Sequence, residues 1–378
     1  MKFSLLFLLL LTAAQPFAQT IVFESGKEGH QSYRIPALLR LPNGNLLAFA
    51  EGRVQHAADF GDVNIVLKTS TDDGKSWSPL RVLVDNGSLQ AGNCAPVLDQ
   101  TDPRFPHGRI FLFYNTGNNH EGEVRKSLGY REVWYITSTD GGNQWSEPVN
   151  ITAQVHRPNQ PQVHAAYRFP DDWRSYANTP GHAIQIKHGK FKGRIYVAAN
   201  HSAGAPQPKF EEYRAHGFYS DDHGQTFHLS QDVPIKGSNE AMAVELSRNH
   251  LMLNIRNQQG DVRARIVALS TDGGATWDTT YFDRNLPDPV CQGSILRIGK
   301  KTLAFCNNAS TSRRDELTLR FSSDEGRSWP ISRLIDKAPA GYTSDYTAYS
   351  DLALLSKHRI GVLYERDNYR QIVFKPVD

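Results

Sequence analysis

The chain has 378 residues, and its 42 Lys and Arg against 39 Asp and Glu leave a net charge of +3. That near balance excludes a strongly basic nucleic-acid binder. Three cysteines, Cys94, Cys291 and Cys306, are too few for a disulfide framework. Cys291 and Cys306 either pair across neighbouring strands or remain buried thiols.

In chain order, the first stretch reads as a leader rather than as fold. Met1-Lys-Phe-Ser is a short basic start, Leu5 to Ala14 is apolar, and Pro16-Phe-Ala18 ends on a small residue. This pattern predicts a secretory signal peptide over 1–18 and an exported mature chain, periplasmic or secreted. No further long apolar run follows, so no membrane span is expected.

Residues 19–378 show little helical periodicity. Short apolar runs dominate instead, among them Asn45 to Ala50, Arg109 to Tyr114, Arg194 to Ala199 and Arg265 to Leu269. Turn residues such as Pro42-Asn-Gly44 bound them, which is the pattern of an all-β chain of many short strands. The segments Thr20 to Glu24 and Gln371 to Lys375 are both strand-like and are candidates for closing a ring.

A frame Ser-x-Asp-x-Gly-x-x-aromatic recurs five times, starting at Ser70, Ser138, Ser220, Ser270 and Ser322. Asp folds its carboxylate onto nearby backbone N–H groups, and Gly supplies the left-handed backbone of a tight turn. Each copy follows a strand-like segment, so each predicts the hairpin turn of one repeated antiparallel unit. Repeats at uneven intervals suit a propeller with loop insertions. Length alone would allow two or three domains; the repeats and the lack of a linker predict a single one over 19–378.

Several arginines stand where chemistry could use them. Arg34 precedes Ile35-Pro36, Arg256 ends the apolar run Leu251 to Ile255, and Arg313 and Arg314 precede Leu317 to Phe321. Singly, each is more often structural. Converging on one funnel, they would form a carboxylate receptor, because guanidinium meets carboxylate in a two-pronged geometry.

The motifs Tyr33-Arg-Ile-Pro36, the five aspartate boxes, Asn239-Glu240-Ala-Met-Ala-Val-Glu-Leu246, Ala348-Tyr-Ser-Asp-Leu352 and Leu363-Tyr-Glu365, in this order, resemble those of the bacterial and animal exo-α-sialidases (neuraminidases). The likeness covers nearly the whole chain after the leader. It implies a six-bladed β-propeller, with the one blade beyond the five boxes lacking a box. It further implies that Arg34, Arg256 and Arg314 grip the carboxylate of sialic acid, with Arg313 the neighbour to distinguish from Arg314. Glu365 would orient Arg34, and Arg53 is a further candidate ligand for the sugar.

By the same resemblance Tyr349 is the nucleophile, with Tyr342 and Tyr346 as nearby competitors, and Glu240 is its base, with Glu245 second. A phenol titrates near 10 and needs such a base. Sialidases are a known exception to the two-carboxylate rule of glycosidases. A neutral phenol avoids the repulsion that a carboxylate nucleophile would meet from the substrate's own carboxylate. Asp59 is the implied acid/base, Asp62 being read as a turn residue; a raised pKa or an acidic optimum is expected of it. No cofactor is implied, and no spacing of Asp and His reads as a metal site. Sialylated glycans are the implied partner of a monomer. A trans-sialidase, a sialidase releasing an anhydro product, and a non-catalytic sialic-acid-binding propeller are the alternatives. The loop Val155 to Tyr176 either builds the funnel rim or is a surface insertion.

Overall fold

A computed structural model describes residues 19–378, and the signal-peptide expectation over 1–18 lies outside the described residues. Nearly all regular structure is antiparallel strand. Several strands are buried on both faces, which is why they read as apolar runs rather than as alternations. Leu46–Arg53 is buried at all 8 positions, and Leu251–Asn257 at all 7.

The strands form a β-propeller of consecutive up-and-down sheets. Ser238–Glu245 to Thr279–Pro287 make one four-stranded sheet, and Ser294–Arg297 to Ile331–Asp336 the next. A five-stranded sheet is built on Trp173–Asn178, Ile195–Ala203 and Tyr213–Ser220. The last sheet joins the two ends of the described chain. Thr347–Ser356, Arg359–Arg366 and Gln371–Val377 supply three strands, and Thr20–Glu24 pairs antiparallel with the third. The two end segments singled out in the sequence therefore do close the ring.

The number of sheets differs from the six expected. Five are formed, because residues between Ser32 and Asn150 make one sheet of eight strands. Its two four-stranded runs meet through a single parallel pair, Val63 with Gln90. The two runs also pack face to face, with Ala37, Phe49, Ile65 and Leu67 of one run against Ala91, Ile110, Leu112 and Ile136 of the other. Similar apolar layers separate the other sheets.

Every aspartate box is the turn between the third and fourth strand of its run. In the first, Ser70 Oγ donates to Asp72 Oδ1 at 2.8 Å and accepts from Gly74 N at 2.9 Å. The other four repeat both bonds. The box glycines lie between φ 79° and 92°, where a Cβ would be strained. Hydrogen bonds from the Ser76 side chain, above all, hold the Asp72 carboxyl down to about 2. The box aromatics then dock inward, as Trp77 does edge-on to Phe374. The closing sheet has no box for a topological reason: its fourth strand is Thr20–Glu24, so no third-to-fourth turn exists there.

The cysteines are all free and buried, so Cys291 and Cys306 do not pair. No helix among the described residues is long and apolar enough to cross a membrane.

Candidate active site

The innermost strands of four runs share a local irregularity. Their pairing slips between Arg34 and Ala37, between Gly92 and Ala95, between Ser238 and Ala241, and between Thr347 and Ser350. Such bulges bend a strand and re-aim its side chains. Here the slipped stretches contain Arg34, Asn93, Glu240 and Tyr349, and all four line one hollow of about 310 Å³. Ile35 and Asn93 carry the distortion as left-handed backbone, φ 57° and 52°, an uncommon state for a β-branched residue.

The hollow's remaining walls include Arg53, Asp59, Arg256 and Arg314. Residues of seven separate segments thus meet around one hollow. Arg313 does not join them: its guanidinium donates to Asp315 Oδ2 at 2.6 Å and to the Tyr342 carbonyl. Arg314 faces the hollow, bonded to Tyr369 Oη at 3.1 Å.

Tyr349 and Glu240 form a tight couple. The phenol donates to Glu240 Oε1 at 2.5 Å, and Arg256 Nη1 bonds both Tyr349 Oη at 2.8 Å and Glu240 Oε2 at 2.6 Å. Burial, and then the Glu240 charge, push the phenol well above its ordinary value, against the pull of Arg256 and Arg314. The resting phenol is therefore neutral, with its proton already aimed at a carboxylate. Tyr342 and Tyr346 are engaged elsewhere, with Asp367 and Arg366. Glu245 lies at the far end of the same strand as Glu240, where it accepts from the Lys187 and His188 backbone.

Glu365 is fully buried and does more than orient Arg34. It accepts from Arg34 Nε at 2.7 Å, from the Ile35 N–H at 2.9 Å and from the Tyr349 N–H at 3.3 Å. One carboxylate thus ties the bulge holding the arginine to the bulge holding the phenol. Burial works against the charge of Arg34, and Glu365 more than restores it.

Asp59 sits on the rim with its side chain 71% exposed, 2.8 Å from Arg53 Nη1. The raised pKa expected of it is not found. Desolvation does push the carboxyl upward, but Arg53, Arg34 and His120 together outweigh it and hold it below the usual aspartate range. Arg53 itself is fully committed, to Glu51, to the Ala57 carbonyl and to Asp59. It borders the hollow from behind Asp59. Asp62 closes the loop through a backbone bond from Val54 N and does not line the hollow.

Sequence reasoning missed Tyr369, whose ring stacks 3.9 Å under Arg34 and whose hydroxyl donates to Asp345. It also missed Glu51, Asn93, Glu121 and Asn200 in the lining. Of the Val155 to Tyr176 loop, Ser175 and Tyr176 reach the hollow. Elsewhere the loop packs on its neighbours, Tyr167 Oη donating to Glu132 and Gln160 to the Gly129 carbonyl.

These features define a class before any name: a β-propeller whose axis carries a cluster of arginines over a Tyr–Glu couple. Residues 44–362 match the family model described as BNR repeat-like domain. The chain is 33% identical over 365 residues to the sialidase of Micromonospora viridifaciens, matching 90% of this chain and 51% of that one. It is 30% identical over 372 residues to the exo-alpha-sialidase of Arthroderma benhamiae, matching 90% of this chain and 79% of that one. Among solved structures, the Hadza microbial sialidase Hz136 aligns with a TM-score of 0.78 at 25% identity, over 95% of this chain and 68% of its own. The chain therefore belongs to the sialidase family with BNR repeats. It spans about half the length of the Micromonospora relative and most of the fungal one.

Proposed function

We propose that this chain is an exo-α-sialidase, removing terminal α-linked sialic acids from glycans by a retaining mechanism. The observation that carries the reading is the Tyr349–Glu240 couple, closed at 2.5 Å, beside Arg34, Arg256 and Arg314. Guanidinium groups facing one hollow suit a substrate carboxylate. With that charge held, the anomeric carbon lies within reach of a neutral nucleophile. As Tyr349 attacks, its proton passes to Glu240, and Arg256 stabilises the oxygen as charge develops. Asp59 protonates the departing glycan oxygen, then draws a proton from the water that releases α-sialic acid.

The propeller is read as six-bladed, taking the eight-stranded sheet as two blades. Its two runs support this, being joined by one residue pair and packed face to face like separate sheets. We further propose export after loss of residues 1–18, which N-terminal sequencing of the secreted or periplasmic protein checks.

The decisive experiment is hydrolysis of a fluorogenic α-sialoside by the native protein and by Tyr349→Phe, with proton NMR of the first product. Release of α-sialic acid by the native chain and near-complete loss in the variant support the reading. A sialyl-oligosaccharide or an anhydro sugar as main product would convert it to a transferase. Equal activity in the variant would reject Tyr349.

A further inference from the structure

One wall of the funnel hides a second cluster of chemically capable groups. His201, on Ile195–Ala203, and His216, on Tyr213–Ser220, lie on adjacent antiparallel strands. Their Nδ1 atoms are 3.2 Å apart. The other His201 nitrogen, Nε2, is 3.6 Å from Asp232 Oδ2. His156 completes the group, its ring 4.7 Å from Tyr176, while Trp173 stacks on His201 at 3.5 Å. All three imidazoles are at most 1% exposed.

Their hydrogen-bond accounting does not close. Both nitrogens of His156 and Nε2 of His216 have no partner, and the Tyr176 hydroxyl has none either. Buried polar atoms left unpaired call for a ligand, a water or an ion. Two arguments favour a metal ion. First, one ligand atom each from His201, His216 and Asp232 lies within 4.8 Å of the others, and Nε2 of the fully buried His216 has no other partner. Second, Asp232 is 42% exposed and gives an ion a way in.

We infer that His201, His216 and Asp232, with His156 beside them, bind one divalent transition ion of the zinc class. Two or three imidazoles with a single carboxylate suit zinc, where calcium or magnesium would require a shell of oxygens. The other comparable group, Asp99, Asp102 and His223, is already satisfied by Arg104, Arg109 and Gln185. No sequence spacing announces the site, because its residues come from four separate segments. It would fasten the strands carrying Ser175, Tyr176 and Asn200, all of which line the funnel.

The test strips the full chain with chelator, reloads it with Zn²⁺, desalts it and measures zinc by mass spectrometry. One zinc per chain is expected, with a melting temperature several degrees higher that chelator reverses. Cobalt in its place should give the visible bands of a four-coordinate ion. Asp232→Asn, a substitution at the surface, should weaken binding by about tenfold or more. His216→Gln should abolish it, and if that variant does not fold, Asp232→Asn and the cobalt spectrum of the native chain decide. Substoichiometric zinc in the native chain, or stoichiometric zinc that Asp232→Asn leaves equally tight, would overturn the site.

Discussion

The inner strands of this propeller end in two different hollows. At one end, bulges turn Arg34, Asn93, Glu240 and Tyr349 into a polar cavity of about 310 Å³. At the other, pairing runs unbroken from Ala37 to Arg40, from Ala95 to Asp99 and from Ala241 to Glu245. There the half-buried Leu39, Leu98, Leu296 and Leu354 surround a larger hollow of about 940 Å³. Size therefore does not mark the chemistry. What sets the smaller hollow apart is that the backbone departs from regular pairing around it, turning Arg34, Glu240 and Tyr349 into one space.

Substituting one residue at each end separates the roles of the two hollows. Tyr349→Phe should lower turnover on the order of a thousandfold or more with little loss of stability. Leu354→Ala should do the reverse: activity within about twofold of native, and unfolding in urea easier by roughly 1–3 kcal/mol for its half-buried side chain. Kinetics and equilibrium unfolding of both proteins check the pair. Similar activity losses at the two ends would mean that the far hollow participates in the reaction.

Next in size is Glu365→Gln. This residue binds both bulges, so the change should reduce kcat/KM by on the order of 100-fold and also destabilise the fold by about 3 kcal/mol, since Arg34 would keep a buried charge without its counterion. A purely local role would affect KM alone. Smaller again is the contrast between neighbours. Arg314→Lys should raise KM by about 10-fold, from a lost charged hydrogen bond worth roughly 1.5–3 kcal/mol. Arg313→Lys, which loses its contacts to Asp315 and Tyr342 outside the hollow, should leave KM unchanged.

The comparison also explains what could be read in the sequence. The boxes were legible because Ser, Asp and Gly satisfy one another within a few residues, whatever the rest of the chain does. Arg34, Asp59, Glu240, Arg256 and Tyr349 were legible from motif context, and the structure brings them together. Arg314 was preferred to Arg313 by resemblance alone, because what separates their positions is pairing with the Asp345–Tyr346 segment. Tyr369 gave no signal: it reaches Arg34 through a run of left-handed residues, Asp367, Asn368 and Tyr369, that no motif encodes. The sheet count depended on one residue pair, Val63 with Gln90, which no periodicity reveals.

The least expected feature of the polar end is the depressed carboxyl of Asp59, and it yields the subtlest prediction. An acid catalyst works in its protonated form, so its contribution falls as pH rises through its pKa. Arg53 holds that pKa below the ordinary value, so with a poor leaving group kcat/KM should begin to fall at a pH below the usual aspartate range. Replacing Arg53 with Gln removes the nearest positive charge, and the falling limb should move to higher pH. A fluorogenic substrate with a good leaving group needs no proton from Asp59 and should show a much smaller displacement of that limb. The linkage to stability has the opposite sense. A depressed carboxyl stabilises the fold above its unfolded pKa and loses that contribution as pH falls through the folded one. Catalysis by Asp59 thus gains from acid while its ion pair is lost to it; in Arg53→Gln both titrations, followed by the pH profiles of activity and of unfolding, should move to higher pH, and the stabilisation by Asp59 should shrink as its folded pKa approaches the unfolded one. An activity limb that stays in place in Arg53→Gln would show that Asp59 is not the proton donor.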